Sequence, residues 1–488
     1  MKTIAVIGGG IGGLATAFRL RQCAAETGTP MHITVYEAGE RFGGVIASSQ
    51  EQGFTLEHGP DSIVRSKPAG MELIKDLGLE DLLQPTQEFA RSSLIAKGRR
   101  LLPIPEGLYL LAPAKLWPFA WSPIISWPGK LRMALDLLLP RRRADLPEES
   151  LAEFVRRRLG KEALERIAQP LVSGIYTADP EQLSLRATMP QFLEMERDHR
   201  SLILGMRKRA KDQSVAAARG PRYGLFASLT GGLQTLVDRL VERLRGPGCD
   251  LIANTRVETV VKTEQKAEQK AEQGGFTLAL ADGYRQFDQV VLALPAHAAA
   301  KVTKQLDQVL SYKLATIPYA GVATVNIALR ADQVPDLPVA AGFVVPAVEG
   351  RTLIACTFGH HKYAGRAPDG YVLLRAFVGG ALHESALERS DQELTDGVLR
   401  DLRDILGLRG DPLFTRLHRW PKAMAQYVLG HGEGVQVIRS RERHFPGFAL
   451  VGNGYEGVGI PDLAAQAENA VDRLTGRDRS LPSQSATP

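Results

Sequence analysis

The sequence predicts an α/β fold in three parts: a parallel, doubly wound unit, a mixed sheet, and a mostly helical insertion. Three observations carry this. The chain opens as strand, glycine turn, helix and strand; two apolar strands, Gln289–Pro295 and Gly447–Asn453, return far downstream; and about 90 to 205 reads as largely helical. Ile4 to Ile7 is an apolar run of the kind shown by a strand buried on both faces. Gly8, Gly10 and Gly13 follow with GxGxxG spacing, and Ala15, Ala17, Phe18 and Leu20 continue into an apolar helix face. In such a turn one glycine makes the bend, one admits a pyrophosphate to backbone N–H groups, and one packs helix on strand. The helix N-terminus adds partial positive charge for phosphates. The next strand ends in Glu37, 24 residues past Gly13, whose carboxylate suits a ribose hydroxyl pair. In this order the elements predict a dinucleotide site.

The 488 residues are enough for two or three domains, with 44% hydrophobic and 23% charged residues, ordinary for a globular protein. Cys23, Cys249 and Cys356 are scattered, and Cys23 reads as a buried apolar residue, which fits a reducing cytoplasm. The first strand leaves no room for a cleavable leader, and no run of eighteen apolar residues predicts a membrane span. The chain carries a net charge of +6, and its basic clusters are Arg141–Arg143, Arg156–Arg158 and Arg207–Arg209. These lack interleaved aromatics and read mostly as solvated helix faces, not a nucleic-acid surface. Leu116 to Pro128 holds three of the four tryptophans and three prolines. It is read as the lining of a large apolar site, in preference to an interfacial patch on a bilayer.

Further along, Phe54–Glu57 is a strand ending in the Gly59-Pro60 turn, and a helix starts at Pro68 and stops at Gly78. Ser150 and Glu153 form a capping box ahead of the stripe Leu151, Phe154, Val155 and Leu159. Thr230–Leu236 leads into an amphipathic helix through Leu244, and Ile252–Val261 reads as one alternating strand. The polar repeat at 263–275 reads as a hairpin-tip insertion, and Phe276–Leu280 with Tyr284–Phe287 as a hairpin turning at Asp282-Gly283. From about 300 to 420 a second sheet is expected to roof the site. Gly457-Val458-Gly459-Ile460 opens a last helix through Leu474 with Gly476 as its stop, and 480–488 is a frayed tail.

Glu37-Ala38-Gly39-Glu40-Arg41-Phe42-Gly43-Gly44 resembles the E…R-x-G-G extension of FAD enzymes related to amine oxidases and phytoene desaturases. Five further stretches resemble bacterial porphyrinogen oxidases of the Gram-positive type: Leu56–Ser62, Leu171–Asp179, His199–Met206, Thr230–Leu236 and Tyr455–Asp462. The middle three are the specific ones. The resemblance covers nearly the whole chain and implies an amine oxidase-like, p-hydroxybenzoate hydroxylase-type architecture. Its parts would be an FAD-binding domain (1–55, 225–298, 425–478), a substrate domain (56–92, 205–224, 299–424) and a helical domain (93–204). It implies an oxygen-dependent oxidase with non-covalent FAD that takes six electrons from a porphyrinogen in haem synthesis, releasing hydrogen peroxide. The family pattern places Gly8, Gly9, Gly10, Ile11, Gly12, Gly13, Glu37, Ala38, Arg41, Gly43, Gly44, His58, Gly59, Pro60, Asp61, Val257, Trp420, Gly452, Val458, Gly459 and Ile460 around FAD. Lys67 and Ile175 correspond to positions beside the tetrapyrrole, and a lysine there suits the four propionates of coproporphyrinogen III.

No catalytic acid or base is assigned, because hydride loss from a porphyrinogen bridge needs orientation and a dry pocket more than a base. His360-His361 lacks a third ligand, so no metal site is expected. The expected setting is cytoplasmic, with peripheral membrane contact and a transient ferrochelatase contact as further partners and either a monomer or a homodimer. Three alternatives stay open: protoporphyrinogen IX as the main substrate, another flavin amine oxidase or desaturase, and a non-catalytic binding protein on the same fold.

Overall fold

The computed structural model describes residues 1–90, 92–143, 145–211, 226–263 and 275–477. Its nucleotide unit is a five-stranded parallel sheet ordered Cys249–Ile252, Met31–Tyr36, Lys2–Ile7, Gln289–Leu292, Phe448–Leu450. Period-two alternation divides its side chains between two cores. Ile4, Val6, Ile33 and Val35 face three helices: α1 (Ile11–Thr27), which the glycine turn opens, and two more described below. Ala5, Ile7, Val290 and Leu292 face the other way, toward an antiparallel sheet of Val257–Lys262, Phe276–Leu280 and Gly283–Phe287. Helix α2 (Pro68–Asp76) starts on proline at its first position and buries Gly70, Leu73 and Ile74.

The second sheet has seven strands, ordered 414–425, 319–330, 371–379, 353–358, 342–344, 93–97 and 100–103. One face buries Leu394, Val398 and Leu402 of the helix Asp391–Leu406. The other carries the 57–61 loop, since Thr324 Oγ1 and Asn326 Nδ2 donate to the carbonyls of His58 and Glu57 at 2.8 and 3.0 Å.

The helical insert holds α3 (Trp127–Ala134), α4 (Leu151–Arg158) and α5 (Gln169–Tyr176) around a core of Phe154, Ile167, Leu171 and Phe192. The Ser150–Glu153 capping box forms in both directions, at 3.1 and 2.9 Å. Two helices then return to the nucleotide sheet, α6 (Gln234–Leu244) and α7 (Ile460–Thr475). Gly476, with φ +70°, ends α7 in the left-handed conformation that glycine adopts without strain.

Four expectations need correction. The 90–205 region begins with the strands 93–97 and 100–103, which complete the seven-stranded sheet, and its helices start at Leu116. The 252–261 run is two strands in different sheets, broken where Asn254 turns with φ +53°. The hairpin turns on Ala281-Asp282, with Leu280 paired to Gly283. The tryptophan-rich stretch is not a lining. Its prolines cut it into short helices that turn Phe119, Ile124 and Ile125 into the core and leave Trp117, Trp121 and Trp127 outside, at 75, 68 and 59% exposure. The repeat at 264–274, most of the 205–224 segment (212–224) and the 480–488 tail lie outside the described residues.

Among the basic clusters Arg158 also departs from a solvated face. It is fully buried in an ion pair with Asp136 and donates to the carbonyls of Asp136, Pro140 and Arg200. All three cysteines are buried free thiols. No described helix is long and apolar enough to cross a membrane.

Candidate active site

The glycine turn is built by close approach. A Cβ on Gly13 would lie 1.9 Å from the Gly8 carbonyl oxygen, and one on Gly8 (φ +109°) 2.3 Å from that of Ala293. Gly10 differs: its φ of −72° suits any residue, and no protein atom lies within 4 Å of the Cβ it lacks. That room opens beside the N-terminus of α1, where the amides of Ile11, Gly12 and Gly13 begin the helix. The Gly43 N–H donates to the Gly9 carbonyl at 2.8 Å, which lays the 38–46 loop along the cradle and brings Gly44 against Gly10. Glu37 accepts the N–H groups of Gly9 and Gly39 at 2.8 and 2.7 Å, so its carboxylate caps the turn. Arg41 donates to the carbonyls of Gly44 and Ile46, and it and Ala38 stay exposed. The Thr255 N–H donates to the Glu37 carbonyl, joining the strand that carries the buried Val257 to the same edge.

The loop continues into a second contact chain. Gly59 packs on Val45 so closely that a Cβ would lie 1.6 Å from its carbonyl oxygen. The His58 carbonyl accepts from Trp420 Nε1 at 2.7 Å, and the His58 ring stacks on His418 at 3.8 Å. Beyond Pro60, Asp61 accepts from Lys362 Nζ with both oxygens, at 2.9 Å, and from the Ser62 hydroxyl at 2.6 Å, and it pairs with Arg375, which donates to the Gly59 carbonyl. Burial pushes the Asp61 carboxyl up, but Lys362 and Arg375 outweigh it and hold Asp61 well below the usual range. Glu57 pairs with Arg366 at 3.1 Å, yet here burial wins and its carboxyl is raised. From the other side, Gly12 packs on Val451 and the Gly452 N–H donates to Gln466. The N-terminus of α7 follows: Gly459 donates to Asp462 at 3.0 Å, beside Val458 and Ile460, and Gly457 donates to the Tyr427 hydroxyl at 2.8 Å.

These observations fit a flavin dinucleotide. Two helix N-termini, a carboxylate at the strand end, an arginine in the adjoining loop and free room at Gly10 are what a ribose and diphosphate require. The structure joins the Gly8–Gly13, Glu37–Gly44, His58–Asp61 and Trp420 segments into one track, with Gly452 and Val458–Ile460 at its flank. Ile175 makes none of these contacts, and Lys67 reaches the flank only through Asp462, which holds Gly459. Ile175 is half-exposed on the last turn of α5, before Thr177 turns left-handed, and Lys67 pairs with Asp462. The sequence reading missed Lys362, Arg366 and Arg375. One signal for them existed, a lone arginine inside the apolar strand Tyr371–Gly379. Among the described residues no group of His, Cys, Asp or Glu converges as a metal site.

Burial, then the neighbouring His418 and Arg375, hold the His58 ring neutral with its pKa lowered to about 4. The unfolded chain binds this proton near pH 6.5, so stability rises with pH between about 4 and 6.5 and is lost as pH falls through that window. Urea titrations of wild type and His58→Gln between pH 6.5 and 4.5 should differ in slope by about 1.4 kcal/mol per pH unit. Equal slopes would mean that His58 takes up its proton in the folded state.

Comparison with known proteins agrees with this geometry. The family model for flavin-containing amine oxidoreductases matches residues 11–475. The chain is 36% identical to coproporphyrinogen III oxidase of Bacillus subtilis over 97% of its length and 98% of that protein. It is 30% identical to chloroplastic protoporphyrinogen oxidase 1 of Arabidopsis thaliana, over 93% of this chain and 82% of that one. A crystal structure from Exiguobacterium sp., provisionally named protoporphyrinogen oxidase, superposes with a TM-score of 0.83 at 29% identity, covering 98% of this chain and 99% of that one.

Proposed function

The chain belongs to the flavin-containing amine oxidoreductases, and from that premise we propose that it oxidises coproporphyrinogen III to coproporphyrin III with O2. The observation that carries this is the near-full-length similarity to coproporphyrinogen III oxidase. A relative sharing only the nucleotide unit would match only there, whereas this likeness takes in the helical insert and the α5 segment as well. FAD, when bound, supplies the acceptor for each electron pair, which O2 removes as hydrogen peroxide. Glu37, the first turn of α1 and Arg41 would hold its adenosine and diphosphate portions, with the 58–61 loop and the α7 N-terminus beside the ring.

The chain's own work is to orient the substrate and exclude water. The Tyr427 hydroxyl pins Gly457 at the start of α7, and Tyr319 donates to Asn453 at 3.0 Å. Burial pushes the Tyr319 phenol up to about 12, so it remains a donor even at alkaline pH. Lys67 is the propionate ligand in this reading, and it favours the four-propionate ring over the two-propionate one. A porphyrinogen loses six hydrogens on becoming a porphyrin, so three molecules of peroxide should appear per porphyrin formed. A ratio near zero under air would remove oxygen as the acceptor.

The exposed tryptophans support a location as well. Trp117, Trp121 and Trp127 form an edge-to-face chain with centroids 6.1 and 6.2 Å apart, and Leu131 and Leu138, a few residues on in sequence, are exposed as well. Lys130 lies 4.4 Å over the Trp127 ring, and Arg141 is exposed nearby in sequence. An aromatic patch with cations beside it suits the interface of an anionic bilayer. Co-sedimentation with phosphatidylglycerol vesicles should fall about tenfold when all three tryptophans become alanine. A wild-type protein that stays in the supernatant would dismiss the idea.

A further inference from the structure

The starts of α2 and α7 meet at Lys67 and Asp462. Lys67 precedes α2 in extended backbone, with half of its side chain exposed, and its ammonium donates to Oδ1 of Asp462. The other oxygen of that carboxylate, Oδ2, accepts the Gly459 N–H at 3.0 Å and closes the first turn of α7. Asp462 also faces Tyr176 and Tyr427: burial raises both phenols, and the Asp462 charge adds to it. Tyr176 is the last residue of α5, adjacent to the half-exposed Ile175. The Lys67–Asp462 pair therefore joins the starts of α2 and α7, with the end of α5 within electrostatic reach of Asp462.

The two oxygens of Asp462 have different requirements. Capping Gly459 needs only an acceptor, which a neutral amide also provides. Holding Lys67 draws on the negative charge. A propionate arriving at this mouth meets an ammonium that is already neutralised, and a second carboxylate that repels it. An ion pair with a half-exposed member is weak, so exchanging one carboxylate partner for another costs little.

We infer that Asp462 is a positioning residue acting through Lys67: it competes with a substrate propionate for the ammonium and so tunes affinity for carboxylate-rich porphyrins. The inference rests on the reading of Lys67 as the propionate ligand. It goes further in making that ligand's strength adjustable from the helix that also flanks the flavin. A second consequence follows for selectivity. Lys67 discriminates only if it meets a propionate that the two-propionate ring replaces with a vinyl group, so Asp462 should matter less for that ring.

The test uses the FAD-loaded protein titrated with coproporphyrin III, binding being read from porphyrin fluorescence. Asp462→Asn, which keeps an acceptor for Gly459, should bind about fivefold tighter, and Lys67→Met about fivefold weaker. In the double variant the gain from Asp462→Asn should shrink below about twofold, because the contested ammonium is gone. With protoporphyrin IX the gain from Asp462→Asn should be smaller than with coproporphyrin III. A role confined to helix capping would not tighten binding at all. Should Asp462→Asn lose its flavin, Asp462→Ser offers a neutral acceptor at the same place and the same expectations apply. Unchanged binding in Lys67→Met would discard the propionate role of Lys67 and the competition with it. Weaker binding in Lys67→Met together with unchanged or weaker binding in Asp462→Asn would overturn the competition alone. An equal Asp462→Asn gain in both backgrounds would also overturn it, leaving simple charge repulsion.

Discussion

Gly10→Val is expected to strip the flavin from the protein without unfolding it. Most glycines in the turn are required by the fold itself: a side chain on Gly13 or Gly8 would run into backbone carbonyl oxygens at 1.9 and 2.3 Å. Gly10 has neither constraint, since its backbone suits any residue and its missing Cβ would touch no protein atom. The space is useful only for a group approaching the N-terminus of α1, as a diphosphate does. Valine there should weaken FAD binding by at least about tenfold, or about 1.4 kcal/mol, because its methyl groups block that approach. The melting temperature of the flavin-free protein should stay within a few degrees of wild type, as for a tolerated surface change. Gly13→Val serves as the contrast and should destabilise both forms. If Gly10→Val retains its full complement of flavin through dialysis, the dinucleotide does not run past α1.

Asp61→Asn should cost about 3–5 kcal/mol of stability, the size seen when one member of a buried ion pair is removed. It leaves Lys362 and Arg375 facing each other with side chains 9 and 6% exposed. The two cations come from the substrate sheet side and Asp61 from the loop under the proposed flavin, so the loss should also loosen flavin retention. Non-additivity is the sharper readout. Lys362→Met alone strips Asp61 of its nearest cation, but in the Asp61→Asn background it removes an unpaired cation. The double variant should therefore be more stable than Asp61→Asn. Urea unfolding of the four proteins decides it; strictly additive losses would show that Asp61 and Lys362 do not depend on each other.

The nucleotide cradle was legible because its information is local. Strand, glycine spacing, helix and Glu37 follow within one short segment, and each depends on a period or a backbone requirement that sequence displays directly. The Ser150–Glu153 box and the Gly476 stop were legible for the same reason. The floor of the site was not. Asp61 meets Lys362 and Arg375 across 301 and 314 positions, and no spacing rule links residues so distant. The strands 93–97 and 100–103 were obscured because they complete a sheet whose other members lie far downstream. The tryptophan stretch misled because three prolines remove any period, and apolar content alone does not say which face turns inward. Lys67 was visible as a charge, but its partner on α7 lies 395 residues away.

The central claim is the substrate. The most direct measurement supplies the purified, flavin-loaded protein aerobically with coproporphyrinogen III and protoporphyrinogen IX in separate reactions, following porphyrin fluorescence and peroxide together. Both should be oxidised, with the higher kcat/KM for coproporphyrinogen III and three peroxides per porphyrin. A higher kcat/KM for protoporphyrinogen IX would contradict the substrate assignment. A flavin-loaded protein inert to both would contradict the porphyrinogen oxidase reading itself.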